Sequence, residues 1–96
     1  MKIKILNLEF EVIEKECIEH GSTLIGQILH LEQKIYMLKS LSEERKKIVL
    51  IHEILHSVLD QLGFEAQHDD EHLIQSLATS LYQVFKNNHN LFRGEE

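Results

Sequence analysis

The sequence is poor in cysteine, in long apolar runs and in basic residues. Its 96 residues include one cysteine, Cys17, which excludes an intramolecular disulfide framework and a cysteine-rich zinc finger. No apolar run approaches the roughly 20 residues needed to cross a bilayer, so no membrane partner is expected. The first residues alternate charged and apolar side chains and do not form the apolar core of a signal peptide. Together these features predict a cytoplasmic protein.

The charge balance argues against a nucleic-acid partner. Ten Lys and Arg side chains stand against sixteen Asp and Glu, which gives a formal net charge of −6. Nucleic-acid-binding proteins usually carry a basic patch. The one short basic run, Arg45-Lys46-Lys47, directly follows two glutamates. We therefore expect no nucleic-acid partner, and a DNA-associated factor that uses this run is the weakest interpretation.

The first part of the chain, residues 1–40, is predicted to be mainly strands. Apolar and polar side chains alternate from Lys2 to Glu14, with one slip near Asn7 that fits either a tight hairpin or one long strand. Two further apolar stretches lie between Leu24 and Leu38. The polar step Glu32-Gln33-Lys34 separates them and suits a hairpin. These patterns predict a small antiparallel sheet.

The second part of the chain changes to helical periodicity. Ser42, followed by acidic residues, is typical of a helix N-cap, and we predict a first helix over residues 42–62. Gly63 is suited to end this helix in the left-handed conformation. Apolar side chains cover most of the helix circumference, which predicts that the helix is buried in the middle of the domain.

A second helix completes the predicted architecture. After a polar loop, Asp69 or Asp70 is suited to cap a helix over residues 70–87, and residues 88–96 are expected to fray. No internal repeat or linker divides the chain. Residues 1–96 are therefore predicted to form one α+β domain, in which a small antiparallel sheet packs on a buried helix and a second long helix.

The first helix contains the segment His52-Glu53-Ile54-Leu55-His56, which matches the H-E-x-x-H signature of zinc enzymes. Residues four apart on a helix share a face, so the two imidazoles can reach one Zn²⁺ ion. Glu53 can then take a proton from the water that the zinc activates. Burying these polar groups without partners would be costly, and a bound metal would remove that cost. The alternative is two exposed histidines on a narrow polar seam of a core helix.

A catalytic zinc needs a third protein ligand and an open fourth position. Candidates lie in the polar loop and at the start of the second helix: His68, Asp69, Asp70, Glu71 and His72. The apolar stripe of the second helix, extended backwards, reaches Glu71, whereas His72 falls one step round the helix. Glu71 is therefore the predicted third ligand, with His68 and His72 as alternative ligands. Glu71 could instead be an ordinary acid that the helix dipole favours.

Three further features are less specific. Cys17 and His20 have a spacing that could bind metal, but an isolated pair of this kind is more often incidental. Tyr82 lies on the Glu71 side of its helix and is a candidate donor to an oxyanion or a substrate, although a half-buried packing role is commoner. The strand from Ile35 to Leu38 is a candidate sheet edge, to which a peptide or a second copy of the chain could add.

Several segments between residues 26 and 88 together form a family-like pattern: Gly26-Gln27-Ile28, Ile35-Tyr36-Met37, Glu44-Arg45-Lys46-Lys47, His52-Glu53-Ile54-Leu55-His56, Asp70-Glu71, Leu77-Ala78, Leu81-Tyr82-Gln83-Val84 and Lys86-Asn87-Asn88. Through these segments, residues 26–88 resemble the short phage-type members of the ImmA/IrrE metallopeptidases. The resemblance implies a minimal zincin-like core in which His52, His56 and Glu71 bind Zn²⁺. It implies that Glu53 is the general base of peptide-bond hydrolysis. The implied substrate is a cytoplasmic protein such as a repressor, in a phage or mobile-element regulatory system.

A second interpretation remains open beside hydrolysis. The protein could be a non-catalytic interaction module or regulator in which zinc is a structural staple, because domains this small often need one. The two interpretations differ at the fourth zinc position. Water would occupy that position in a peptidase, whereas His68 or His72 would occupy it in a staple.

Overall fold

Four strands and three helices build the protein, and the computed structural model describes residues 1–93. In chain order the elements are β1 (Lys2–Ile5), β2 (Leu8–Lys15), β3 (Gly26–Leu29), β4 (Lys34–Leu38), α1 (Glu43–Gln61), α2 (Glu65–His68) and α3 (Glu71–Asn87). The predicted α+β class is confirmed. Residues 88–93 form consecutive turns, and residues 94–96 of the predicted frayed tail lie outside the described residues. None of these helices combines the length and apolar character that a bilayer span requires.

The sheet is mixed, which corrects the predicted antiparallel arrangement. Its strand order is β1-β2-β4-β3. The pairs β1–β2 and β3–β4 are antiparallel hairpins, but β2 and β4 run parallel. The inner strand β4 carries two buried side chains, Ile35 and Met37, whereas no side chain of β3 is more than partly buried. The predicted edge strand, Ile35–Leu38, is therefore an inner strand, and the edge is β3.

A two-residue turn at Leu6 and Asn7 joins β1 to β2, so the slip in the pattern marks a hairpin and not one long strand. Leu6 has a φ of 52°, in the left-handed region. Gln61, at the end of α1, secures this hairpin. Its Nε2 donates to the carbonyl oxygen of Ile5 at 2.8 Å, and its Oε1 accepts from the backbone N–H of Asn7 at 3.3 Å.

Side-chain caps set the starts of both long helices. Ser42 and Asp70 each accept a hydrogen bond from the backbone N–H three residues on, at 3.2 Å and 3.0 Å. Gly63 follows α1 with a φ of 81°, as its predicted role in ending the helix requires. The segment Glu65–His68, part of which was predicted to be loop, forms the short helix α2. That extra turn positions His68 close to α1.

The core lies between the inner face of the sheet and α1, and α1 in turn packs against α3. The buried apolar residues of this core are Ile5, Phe10, Val12, Ile35, Met37 and Val49. The most buried residues of α1 include Glu53, His56 and Ser57, while most of its apolar side chains are only partly buried. The predicted central position of α1 is confirmed, but its most buried face is largely polar.

Candidate metal centre

The three predicted ligands meet where the middle of α1 faces the first turn of α3. His52 and His56 lie one turn apart on α1, and Glu71 is the first residue of α3. The Nε2 atoms of the two histidines are 3.2 Å apart. Glu71 Oε2 lies 3.1 Å from His52 Nε2, and Glu71 Oε1 lies 2.7 Å from His56 Nε2. We call these three side chains the ligand cluster.

The donor set of the ligand cluster fits a divalent metal ion. Two imidazole nitrogens and one carboxylate are a common set of protein ligands for such ions. Ligand atoms at tetrahedral positions around Zn²⁺ are about 3.3 Å apart, given bond lengths of about 2.0–2.1 Å. The observed separations of 2.7–3.2 Å are slightly shorter. Within residues 1–93 no other group of three such side chains converges in this way.

The ligand cluster is exposed to solvent mainly at Glu71. The Glu71 side chain is 66% exposed, whereas the side chains of His52 and His56 are 16% and 10% exposed. The two histidines are therefore not the exposed pair of the alternative interpretation. A small molecule or a peptide could reach the cluster from the side of α3.

Glu53 lies beside the ligand cluster and is buried, with 6% exposure. Burial, and to a lesser extent the nearby charge of Glu71, raises the pKa of Glu53 to about 7. Gly26 at the start of β3 lies close to this carboxylate, since a Cβ atom at position 26 would come within 3.0 Å of Glu53 Oε2. Burial also lowers the pKa of His56; the imidazoles of His52 and His68 act in the same direction, while Glu71 opposes them.

A groove of about 500 Å³ lies in front of the ligand cluster, and we call it the metal groove. The edge strand β3 forms one wall, and α1, α2 and the start of α3 form the other. Its lining residues are Leu24, Gly26, Gln27, Ile28, His30, His52, Glu53, His56, His68 and Glu71. A volume in the range of known ligand sites, with polar groups converging in it, is typical of a binding or active site.

The alternative ligands are not part of the ligand cluster. His68 Nδ1 lies 3.0 Å from His56 Nδ1, on the ring nitrogen that faces away from Glu71. His72 is exposed on α3. Sequence reasoning missed one neighbour of the cluster, Gln75, whose Oε1 is 2.8 Å from His52 Nδ1. Its position four residues after Glu71, on the same helix face, is the signal that could have identified it.

The less specific sequence features lie elsewhere. Tyr82 is buried and lines a separate groove between α1 and α3, about 16 Å along the helix from Glu71, so the structure does not bring it to the ligand cluster. Cys17 is exposed, and it does not join His20 in any group of metal-ligand side chains among the described residues. In the basic run, Lys46 forms an ion pair with Glu14 at 2.8 Å.

Comparison with known proteins identified no relative: no protein-family model, no curated protein and no solved structure matches this chain.

Proposed function

We propose that the protein is a zinc-dependent metallopeptidase of the ImmA/IrrE type, which hydrolyses a peptide bond in a cytoplasmic protein. The observation that carries this proposal is the convergence of three side chains that can bind a metal, with no fourth among the described residues, beside a buried glutamate. Three protein ligands with one open position are the arrangement of catalytic zinc sites, whereas structural sites are closed by four. A repressor in a phage or mobile-element system is the proposed substrate.

In this proposal His52, His56 and Glu71 hold the ion and Glu53 moves the proton. When bound, Zn²⁺ supplies Lewis acidity, which polarises a carbonyl group and lowers the pKa of water. Glu53 accepts a proton on its carboxylate and later donates it to the leaving amine. In the metal-free protein, burial raises the pKa of Glu53 to about 7, so this carboxylate binds a proton more readily than an exposed glutamate does.

The edge strand β3 offers a means of orienting the substrate. It is the last strand of the sheet, and its residues Gly26, Gln27 and Ile28 line the metal groove. An extended peptide can add to such an edge through main-chain hydrogen bonds. This would place the peptide backbone beside Glu53, because Gly26 of β3 already lies against that carboxylate.

The rival proposal is a non-catalytic interaction module in which zinc is a structural staple. It requires a fourth protein ligand. His68 is the nearest candidate, but its Nδ1 contacts the Nδ1 of His56 and not the ligand atoms. To become a ligand, His68 would have to leave this contact and move round to the Glu71 side of the histidine pair. The observed geometry therefore favours the peptidase.

Glu53→Gln separates the two proposals. The substitution keeps the size of the side chain but removes the proton acceptor, so the variant should bind zinc and fold yet cleave about 10²–10⁴-fold more slowly. Candidate repressors would be co-expressed with wild type or variant, and cleavage products would be identified by mass spectrometry. Glu19→Gln, at an exposed position in the β2–β3 connection, is the matched control. Cleavage that survives Glu53→Gln undiminished would contradict the mechanism, and a zinc site without cleavage of any candidate would favour the staple.

A further inference from the structure

Each histidine of the ligand cluster has a partner behind it, on the ring nitrogen that does not face Glu71. For His52 the partner is Gln75, whose Oε1 lies 2.8 Å from His52 Nδ1. The other end of this amide donates to Thr79 Oγ1 at 3.3 Å. With the amide oxygen toward His52, the hydrogen bond is made when the proton of His52 is on Nδ1, because an amide oxygen only accepts. A neutral His52 therefore presents a lone pair at Nε2, toward Glu71.

For His56 the partner is His68. The two Nδ1 atoms are 3.0 Å apart and the rings are nearly perpendicular, at 86°. When both imidazoles are neutral, one Nδ1 carries the proton of this hydrogen bond and the other Nδ1 accepts it. If His68 donates it, the proton of His56 must be on Nε2, where it blocks a metal ion. If His56 donates it, Nε2 carries a lone pair. Only the second arrangement is compatible with a metal ion in the ligand cluster.

We propose that Gln75 and His68 are positioning residues of the metal centre. Each accepts a hydrogen bond from the Nδ1–H of one histidine and thereby holds that ring with its Nε2 lone pair toward Glu71. The proposal rests on the zinc site of the proposed function but not on peptidase activity. It also explains α2: that helical turn brings His68 behind His56. Partners of this kind typically contribute 10–100-fold to metal affinity, because they fix both the tautomer and the orientation of the ligand.

Paired substitutions at Gln75 test the acceptor directly. Gln75→Met keeps the length of the side chain but removes the oxygen, and we expect zinc affinity to fall about 10–100-fold. Gln75→Glu keeps an oxygen at this position, so it should retain most of the affinity. Gln83→Met, at an exposed position two turns further along α3, is the control. Affinity would be measured by competition with a chromogenic zinc chelator, and the melting temperature of each metal-free variant would show that it is folded.

A second pair of substitutions tests His68. His68→Phe removes the acceptor and should weaken zinc binding about 10–100-fold. His68→Asn places an amide oxygen near the position of Nδ1 and should restore much of that loss. His72→Phe, on the exposed side of α3, is the control. X-ray absorption of the zinc-loaded protein should find two imidazoles at the ion in the wild type and in both His68 variants.

Each outcome supports or overturns the inference. The inference is supported if Gln75→Glu and His68→Asn bind zinc more tightly than Gln75→Met and His68→Phe, and if two imidazoles bind the ion in the wild type and in both His68 variants. Equal zinc affinity in Gln75→Met, His68→Phe and the controls overturns it while leaving the zinc site of the proposed function intact. A third imidazole at zinc that is lost in His68→Phe shows that His68 is a ligand. Absence of zinc binding by the wild type overturns the proposed function and this inference together.

Discussion

In the metal-free protein, Glu53 should make a contribution to stability that is lost as the pH rises from about 4.5 to about 7, and Glu53→Gln should remove this pH dependence. The pKa of Glu53 is about 7 in the folded protein, against an ordinary value of 4.5. Below about pH 4.5 the carboxyl group is protonated in both the folded and the unfolded state, and the stability is fully present. Above that pH the unfolded state releases its proton first. The free energy of unfolding therefore falls until the pH has passed the folded-state pKa.

The size of this effect follows from the burial of the carboxylate. A difference of about 2.5 pKa units corresponds to about 3.5 kcal/mol, at about 1.4 kcal/mol per unit. Glutamine does not titrate. The free energy of unfolding of Glu53→Gln, relative to that of the wild type, should therefore increase by most of this amount between pH 5 and pH 8. In a domain of this size, 1 kcal/mol corresponds to roughly 4–8 °C in Tm, so the effect is well within measurement.

Urea unfolding in the presence of a metal chelator would measure this effect. Wild type, Glu53→Gln and the exposed control Glu19→Gln would be unfolded at pH 5 and at pH 8, and the comparison would use midpoints at a constant m value. The difference in free energy of unfolding between Glu53→Gln and the wild type should depend strongly on pH. The corresponding difference between Glu19→Gln and the wild type should not. A difference that is the same at both pH values would refute the conclusion that Glu53 is buried next to a carboxylate in the folded protein.

Three further predictions concern the ligand cluster and the strand beside it. Glu71→Ala should weaken zinc binding strongly in a metal-competition titration while His72→Ala has little effect, and the reverse ranking would mean that the site uses a third histidine. Free zinc at 1,000 times its Kd should stabilise the wild type by about 4 kcal/mol, which calorimetry would record as a Tm rise of roughly 15–30 °C. An unchanged Tm, together with no zinc in elemental analysis, would exclude the site. Gly26→Ala should destabilise the protein by about 1–3 kcal/mol in urea unfolding, because the new Cβ atom at position 26 would overlap Val49 Cγ1 and crowd Glu53. An unchanged free energy of unfolding would show that β3 can move away from α1.

Local patterns were sufficient to predict the elements that carry the ligand cluster. The helix that contains His52 and His56 begins at its predicted cap, Ser42, and the second helix begins at Asp70. Helical periodicity alone places the two histidines on one face. The apolar stripe of α3, extended backwards, placed Glu71 toward α1, and the structure brings these three side chains together.

Predictions that depended on more distant neighbours were less accurate. The stripe of α3 reaches Tyr82 on its buried side, but the structure places this tyrosine in a groove away from the ligand cluster. A face of a helix can be deduced from periodicity, whereas the position along that face that meets a given neighbour depends on how two helices pack. Gln75 was missed for the same reason, since its contact with His52 requires the packed pair of helices.

The sequence by itself determined the two long helices, their caps and the shared face of the H-E-x-x-H residues, because these depend on interactions between residues a few positions apart. Only the tertiary structure decided which strand is the edge of the sheet. β4 lies between β2 and β3, and its apolar side chains Ile35 and Met37 are buried there in the core. This order depends on pairing between strands that are distant in the sequence. This choice places β3 and Gly26 against α1. It thereby buries Glu53, which raises its pKa to about 7, an effect of the three-dimensional surroundings that no spacing in the sequence encodes.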